Sequence, residues 1–184
     1  MVILLLDRAW GSLSGKDPFP INARYSSVIC QSASSSSAAR LSACLQQRAS
    51  ITVDQITLIG WSLGSAVAVD LAGRLDVRAQ VLLSPLTSLL ACALDLVRIG
   101  KTSFTIGPFD ALSRARSVNC PTLIVSGSED ALTRPWMANE LTKAMEGHAR
   151  LVSLAGVGHN DMLRSGERLW NVVKDFLNSP EETR

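Results

Sequence analysis

The stretch that decides the fold is I-T-L-I-G-W-S-L-G-S-A, from Ile56 to Ala66. Its apolar beginning is typical of a buried strand, a helix is expected to follow, and a G-x-S-x-G motif lies between them. Glycines on both sides of Ser62 leave room for a strained turn that pushes the hydroxyl out of the sheet. The first N–H groups of the following helix suit a developing oxyanion. The pattern predicts Ser62 as a nucleophile and the N–H of Leu63 as an oxyanion donor. The alternative is an ordinary strand–helix turn that contains a serine.

A serine nucleophile needs a general base, and the chain contains 2 histidines. His148 follows Gly147 at the expected end of a helix, where a histidine usually caps carbonyls or faces water. His159 lies in G-V-G-H-N-D, directly after the apolar segment Leu151–Leu154. Loops at the carboxyl ends of strands carry the chemistry in open α/β sheets. His159 is therefore the predicted base, and His148 is the alternative.

A carboxylate is needed to orient the base and to stabilise its protonated form. The apolar segment Thr122–Val125 is followed by S-G-S-E-D, which brings two carboxylates to the same end of the sheet. Asp130 is the predicted acid and Glu129 is the local alternative. Asp161 could serve if its loop folded back, although orienting that loop suits it better. The aspartates at 70, 76, 95 and 110 fall on helices or loops away from strand ends, where solvated or capping roles are expected.

Strand-like and helix-like segments alternate along the chain. The predicted strands are Val2–Leu6, Ile56–Ile59, Gln80–Leu83, Thr122–Val125 and Leu151–Leu154. Apolar residues with helical spacing are Ala38, Leu41, Cys44 and Leu45, then Met137, Leu141, Ala144 and Met145, and finally Leu169, Val173, Phe176 and Leu177. This alternation predicts an α/β fold with a mostly parallel sheet of about five strands flanked by helices.

Two segments interrupt the alternation within a single predicted domain, residues 1–184. Residues 16–37 are rich in proline and serine and are predicted to form a loop. Residues 86–118 begin like a helix, over Leu86–Val97, and continue into a turn that ends in Gly-Pro-Phe. They are predicted to form a short cap-like segment.

Composition excludes several classes of function. The 184 residues are 18% charged, with Lys and Arg totalling 18 against 16 for Asp and Glu, so no basic surface for nucleic acid is expected. The longest apolar stretch, Val81–Ile99, contains Pro85 and Asp95 and is not expected to span a membrane. The 4 cysteines are scattered and lie far from both histidines, which argues against a zinc site. We expect no metal, no organic cofactor and a cytoplasmic location, with any membrane contact peripheral.

Taken together, the motifs resemble the α/β-hydrolase superfamily, and within it the alpha/beta-hydrolase domain-containing protein 17 group and the Bem46-like hydrolases. The similarity runs from Leu58 to Leu177 and keeps the order nucleophile, acid, base. Its motifs are G-W-S-L-G at 60–64, L-S-P-L-T-S at 83–88, G-S-E-D at 127–130 and G-H-N-D at 158–161. The resemblance implies hydrolysis of acyl esters or thioesters through an acyl-enzyme, with removal of palmitate from protein cysteines as the family's known task. The implied partner is an acylated protein or a small acyl ester or thioester.

The chain departs from this family at its amino-terminal end. The family has strands ahead of Val2–Leu6 and an H-G-x-x loop that supplies a second oxyanion N–H, so we expect a truncated chain that lacks the first strands. Leu6–Gly15 is similar to a segment that follows the family's fourth strand. The family's third strand lies between that strand and Ile56–Ile59. Val2–Leu6 is therefore expected either to pair with Ile56–Ile59 or to leave a gap in the sheet.

Two hypotheses for function result. The first is a serine hydrolase similar to palmitoyl-protein thioesterases. The second is a catalytically impaired hydrolase-like remnant or a binding module, because half of the oxyanion hole is missing. A dehalogenase on the same fold is disfavoured, since such enzymes generally use an aspartate where Ser62 stands. Leu89, Leu90 and Leu94 either line an acyl-binding groove or, as is commoner for such a stripe, pack on the sheet.

Overall fold

The computed structural model describes the backbone of residues 2–6 together with residues 52–97 and 109–180. The strands are β1 (Val2–Leu6), β2 (Ile56–Trp61), β3 (Ala79–Leu83), β4 (Thr122–Gly127) and β5 (Ala149–Leu154). The helices are α1 (Leu63–Ala72), α2 (Leu89–Leu96), α3 (Ala111–Ala115), α4 (Pro135–Ala144) and α5 (Glu167–Asn178). Short 3-10 turns lie at Val53–Gln55 and Leu163–Ser165. The predicted loop at 16–37, the predicted helix around Leu41 and residues 98–108 of the cap-like segment lie outside the described residues.

The strands form one sheet in the order β1-β2-β3-β4-β5. Strands β2 to β5 are parallel, whereas β1 is antiparallel to β2, with Val2 opposite Gly60 and Leu6 opposite Ile56. The predicted mostly parallel α/β sheet is therefore confirmed. Of the two arrangements expected for Val2–Leu6, the structure has the paired one. An antiparallel neighbour satisfies the outer N–H and C=O groups of β2 as fully as a parallel neighbour would.

Hydrophobic residues fill both faces of the sheet, because successive side chains along a strand point to opposite faces. On one face Leu58, Leu82 and Ile124 belong to a core that includes residues of α1, α3 and α4. On the other face Ile59, Val81, Leu123 and Val125 pack in a core with residues of α5. The sheet is thus covered by helices on both sides, as buried parallel strands require.

Helices α4 and α5 bury the stripes that their sequences predict. Met137 and Leu141 of α4 are fully buried, and Pro135 occupies its first turn. Leu169, Val173, Phe176 and Leu177 of α5 are all buried. Gly147 follows the end of α4 with a φ of 91°, a backbone conformation that favours glycine.

The start of helix α2 and its buried face differ from those that the sequence predicts. It begins at Leu89 and not at Leu86, because the Ser88 hydroxyl caps it by accepting a hydrogen bond from the N–H of Ala91. The helix buries Ala91, Cys92 and Asp95, while Leu89 and Leu90 are 44% and 40% exposed. The interpretation in which these two leucines pack on the sheet is therefore wrong.

Because β2 to β5 run in the same direction, their final residues lie along one side of the sheet, which we call the carboxyl edge. It is formed by Trp61, Leu83, Gly127 and Leu154 and by the loops that follow them. Open α/β sheets bind their ligands at this edge.

Candidate active site

Ser62 occupies a sharp turn between β2 and α1. Its φ of 54° and ψ of −123° are strained for a residue with a side chain, and such strain concentrates at functional sites. The Ser62 N–H donates to the carbonyl of Leu83 at 2.9 Å, which ties the turn to the end of β3. A Cβ on Gly60 would lie 2.6 Å from the carbonyl oxygen of Gly64. Glycine is therefore required at position 60, as the G-x-S-x-G motif indicates.

The hydroxyl of Ser65 supports the same turn from the first turn of α1. It donates to the carbonyl of Ser62 at 2.6 Å and accepts from the N–H of Leu86 at 3.4 Å. Ser65 is fully buried, so the hydrogen bonds connect the start of α1 to the segment after β3 without water. Leu63 is the first residue of α1, and the first N–H groups of a helix have no acceptor within the helix.

His159 lies between the other two predicted residues and contacts both. Its Nε2 is 3.0 Å from Ser62 Oγ, and its Nδ1 is 2.9 Å from Asp130 Oδ2. A carboxylate only accepts, so the ring proton belongs on Nδ1 and the bare Nε2 accepts from the Ser62 hydroxyl. The imidazole also stacks on the indole ring of Trp61, with the ring centroids 5.8 Å apart and the planes at 26°. The structure brings Ser62, His159 and Asp130 together in one continuous hydrogen-bonded chain.

Asp130 is almost completely buried, and its carboxylate accepts several hydrogen bonds. The N–H groups of Leu132 and Thr133 donate to Oδ1 at 3.0 and 2.8 Å, and the Thr133 hydroxyl donates to Oδ2 at 2.9 Å. Burial raises the pKa of Asp130, but the hydrogen bonds from His159 and from Thr133 outweigh it and hold the pKa below the ordinary value of an aspartate. Asp130 is therefore ionised at neutral pH and can stabilise a protonated His159.

The loop that carries the predicted acid, residues 128–134, and the loop that carries the predicted base, residues 155–162, are called the acid loop and the base loop. They pack directly against each other. The N–H of Glu129 donates to the carbonyl of Val157 at 3.1 Å, and the N–H of Gly156 donates to the Ser128 hydroxyl at 2.8 Å. A Cβ on Gly127 would overlap the carbonyl group of Val157. This close approach of two backbones sets the distance between Asp130 and His159.

The alternative residues lie elsewhere. His148 is at the opposite end of the sheet, where its carbonyl accepts from the N–H of Thr122 at the start of β4. The side chains of Glu129 and Asp161 are exposed, whereas Asp130 is buried against His159. The main-chain carbonyl of Asp161 accepts from the Ser165 hydroxyl, and a loop-orienting role of the Asp161 carboxylate stays a prediction.

Helix α2 is attached to the acid loop by two contacts that the sequence did not indicate. The Cys92 thiol donates to the carbonyl of Leu132 at 3.3 Å, and burial raises the pKa of that thiol. Asp95 is buried and pairs with Arg134 at 3.0 Å. The solvated or capping role expected for Asp95 is therefore wrong, whereas Asp110 does cap α3 by accepting from the N–H of Ser113.

Thr133 also belongs to the site, although no sequence motif predicts it. Its hydroxyl lies 2.9 Å from Asp130 Oδ2, 3.1 Å from the carbonyl oxygen of Ser84 and 3.1 Å from His159 Nδ1. The one signal for Thr133 in the sequence is its position three residues after Asp130.

Within the part of the chain that the structure describes, no group of three or more His, Cys, Asp or Glu side chains is arranged to hold a metal ion. Among the same residues, no helix has the length and apolar composition needed to cross a bilayer.

Comparisons of the sequence with known proteins give one family match and several relatives. A family model described as TAP-like protein matches residues 105–184. An uncharacterized protein of Mycobacterium tuberculosis is 33% identical over 125 residues, which are 67% of this chain and 44% of that protein. Alpha/beta hydrolase domain-containing protein 17B of Homo sapiens is 28% identical over 133 residues, which are 72% of this chain and 45% of that protein. The chain therefore spans less than half the length of these curated relatives.

Among solved structures, the putative non-heme bromoperoxidase BpoC of Mycobacterium tuberculosis is similar with a TM-score of 0.58 and 15% sequence identity. The match covers 78% of this chain and 73% of that protein. At this level of identity the similarity shows the fold alone.

Proposed function

We propose that the chain is a serine hydrolase of the α/β-hydrolase superfamily that acts through an acyl-enzyme. One observation carries the proposal. The hydrogen-bonded chain from Ser62 Oγ through the His159 ring to Asp130 Oδ2, with links of 3.0 and 2.9 Å, has the geometry of an activated serine.

In the first half of the reaction, the Ser62 hydroxyl attacks the acyl carbonyl while His159 Nε2 takes its proton. Asp130 holds the Nδ1 proton and stabilises the imidazolium. The N–H of Leu63, at the start of α1, stabilises the oxyanion of the tetrahedral intermediate. His159 then protonates the leaving alcohol or thiol as the carbonyl re-forms, which leaves the acyl group on Ser62.

In the second half, a water molecule attacks the acyl carbonyl and His159 Nε2 takes a proton from it. Collapse of the second intermediate releases the carboxylic acid, and the same proton returns to Ser62 Oγ. Trp61 stacks on the imidazole throughout, and an aromatic face stabilises a neighbouring cation.

The proposed substrate class is an acyl ester or thioester, with a long acyl chain attached to a protein as the preferred form. Two observations support this choice. The motifs resemble the alpha/beta-hydrolase domain-containing protein 17 group, to which the human relative belongs by name. Leu63, next to the nucleophile, is 39% exposed, and Leu89 and Leu90 are also exposed, so apolar surface is available for an acyl chain.

The test is hydrolysis of p-nitrophenyl butyrate, p-nitrophenyl palmitate and palmitoyl-CoA by the purified chain. We expect turnover that falls by on the order of 10⁴-fold or more in Ser62→Ala. Ser113→Ala, which changes an exposed serine on α3, is the matched control and should keep the activity of the unchanged chain. A well-folded chain whose turnover is the same with and without the Ser62 hydroxyl would refute the proposal.

A binding module is the second candidate, and the position of β1 favours it. Strand β1 pairs directly with β2, where the resemblance implies a different strand and a loop with a second oxyanion donor. Such a module would bind p-nitrophenyl palmitate or palmitate without turnover. Equilibrium binding of palmitate together with the absence of any hydrolysis that depends on Ser62 would favour this second function.

A further inference from the structure

The end of β3 offers two successive backbone carbonyls to the site. The carbonyl of Leu83 accepts from the Ser62 N–H at 2.9 Å, and the carbonyl oxygen of Ser84 lies 3.1 Å from the Thr133 hydroxyl oxygen. Ser84 is fully buried with a φ of 45°, and its own N–H donates to the carbonyl of Val125 at 2.8 Å. Because β3 lies between β2 and β4, its end contacts both the turn at Ser62, which follows β2, and the acid loop, which follows β4.

The Thr133 hydroxyl connects this anchor to the two groups that control the base. It carries one proton and two lone pairs. Asp130 Oδ2 and the Ser84 carbonyl only accept, at 2.9 and 3.1 Å, while the N–H at His159 Nδ1, 3.1 Å away, donates. Its one proton can therefore go to the carboxylate or to the Ser84 carbonyl, and in either case the hydroxyl oxygen can share the Nδ1 proton of His159 with Asp130 Oδ2. Thr133 is 1% exposed, so water is not available to replace it.

We propose that Thr133 is a positioning residue, whose hydroxyl fixes the Asp130 carboxylate and the His159 ring relative to the end of β3. This inference rests on the proposed hydrolase function for its effect on catalysis, but not for its effect on the hydrogen bond between His159 and Asp130. Loss of the hydroxyl leaves Oδ2 short of one donor and allows the carboxylate to rotate away from Nδ1. Thr133 does not touch the reacting atoms and acts only through Asp130 and His159.

The experiment compares Thr133→Val, which keeps the shape and removes the hydroxyl, with Thr133→Ser, which keeps the hydroxyl. A hydrogen bond to a charged group sets the expected scale, so kcat for p-nitrophenyl butyrate should fall roughly 10- to 100-fold in Thr133→Val, with KM little changed. Thr133→Ser should restore most of the lost kcat. Thr122→Val is the matched control, because Thr122 is a buried threonine that bonds Gln80 and the Cys120 carbonyl away from the site. It should lower thermal stability and leave kcat unchanged.

A second readout does not depend on activity. The proton on His159 Nδ1 is observed directly at low field by proton NMR and is assigned by its loss in Asp130→Asn. In Thr133→Val we expect this proton to exchange with water about tenfold faster or more. In Thr133→Ser and Thr122→Val its exchange should stay slow. If Thr133→Val does not fold, Thr133→Ala removes the same hydroxyl without a new methyl group near the Ser84 carbonyl.

The outcomes separate the two proposals. If the unchanged chain has no turnover that depends on Ser62, the proposed function fails, yet faster exchange in the hydroxyl-deficient variant still supports the positioning role. If the variant without the Thr133 hydroxyl keeps both the wild-type kcat and the slow exchange of the His159 Nδ1 proton, the positioning role is refuted. This holds whether or not the proposed function is correct. A fall in thermal stability alone, with unchanged NMR exchange, would likewise refute it, because that is the result of a purely structural threonine.

Discussion

The faces of the sheet and its carboxyl edge bury different kinds of residue. On the faces, Leu58, Leu123 and Phe176 are buried in apolar surroundings. At the carboxyl edge, Asp130 and Thr133 are equally buried but are polar and hydrogen-bonded, and the nearby backbone is strained at Ser62. This difference leads us to expect that the faces determine stability and that the edge carries the proposed chemistry. Substitutions on the faces should cost stability, and substitutions at the edge should cost activity.

After Ser62→Ala, the largest expected effect at the edge is that of Asp130→Asn. The amide keeps the shape but no longer favours the Nδ1 proton or stabilises the imidazolium, so kcat should fall by on the order of 10³- to 10⁴-fold. Steady-state kinetics with p-nitrophenyl butyrate checks the rate, and a thermal melt checks that the chain remains folded. Exposed Glu129 provides the control, since Glu129→Gln should leave kcat within about threefold. Comparable losses in both variants would mean that the site does not distinguish the two carboxyl groups.

Phe176→Ala on α5 should show the opposite behaviour. Removal of a fully buried aromatic side chain leaves a cavity, so the free energy of unfolding should fall by about 3–5 kcal/mol, measured by urea denaturation. Titration with a fluorophosphonate counts the active sites. The kcat per active site should equal that of the wild-type chain. Lys174→Ala on the exposed side of the same helix should change neither quantity. A large loss of kcat in folded Phe176→Ala would break the separation between faces and edge.

Gly127→Ala tests the contact between the acid loop and the base loop. The new methyl group would overlap the Val157 carbonyl, so the His159 loop must move. A displacement of about 1 Å at catalytic groups is expected to cost on the order of 10²-fold in kcat. Gly147→Ala is a matched control for glycine substitution, since a Cβ there meets nothing within 4 Å although its φ of 91° adds strain. Gly147→Ala should lower stability without changing kcat, and equal kcat values for the two variants would show that the loop contact is unimportant.

The smallest expected effect is on the pH dependence of stability. The native pKa of Asp130 lies below its unfolded value because hydrogen bonds from His159 and Thr133 outweigh the opposing effect of burial. A depressed native pKa stabilises the fold above the unfolded pKa, and this contribution is lost as the pH falls through the native pKa. The melting temperature of the unchanged chain should therefore exceed that of Asp130→Asn near neutral pH, and the difference should shrink below about pH 4. A difference that stayed constant down to pH 2 would contradict the ionised Asp130.

The elements whose signals are local could be predicted from the sequence. The strands from Ile56, Thr122 and Leu151 have continuous apolar runs, the turn at Ser62 has its flanking glycines, and His159 follows a strand end. Since parallel strands place their carboxyl ends on one edge, these local signals also predict which three side chains meet. Their catalytic roles remain a prediction until turnover is measured.

Features that depend on partners far along the chain could not be predicted. The proposed role of Thr133 depends on a carbonyl 49 residues away, and the direction of β1 depends on its pairing with β2, which begins 50 positions after Leu6. Packing on the sheet was the commoner of the two expectations for Leu89, Leu90 and Leu94, but Leu89 and Leu90 are exposed and the buried Asp95 pairs with Arg134. A residue pattern reports local preference, whereas these contacts are decided by tertiary packing.

Our main proposal is that Ser62 is a nucleophile, which His159 activates and Asp130 supports through the imidazole. It is tested most directly by treating the purified chain with a fluorophosphonate and measuring the intact mass and the modified peptide. We expect one adduct per chain, on the peptide that contains Ser62, with no adduct in Ser62→Ala and much slower labelling in His159→Gln. A folded chain that never forms the adduct, or an adduct located on another serine, would contradict it.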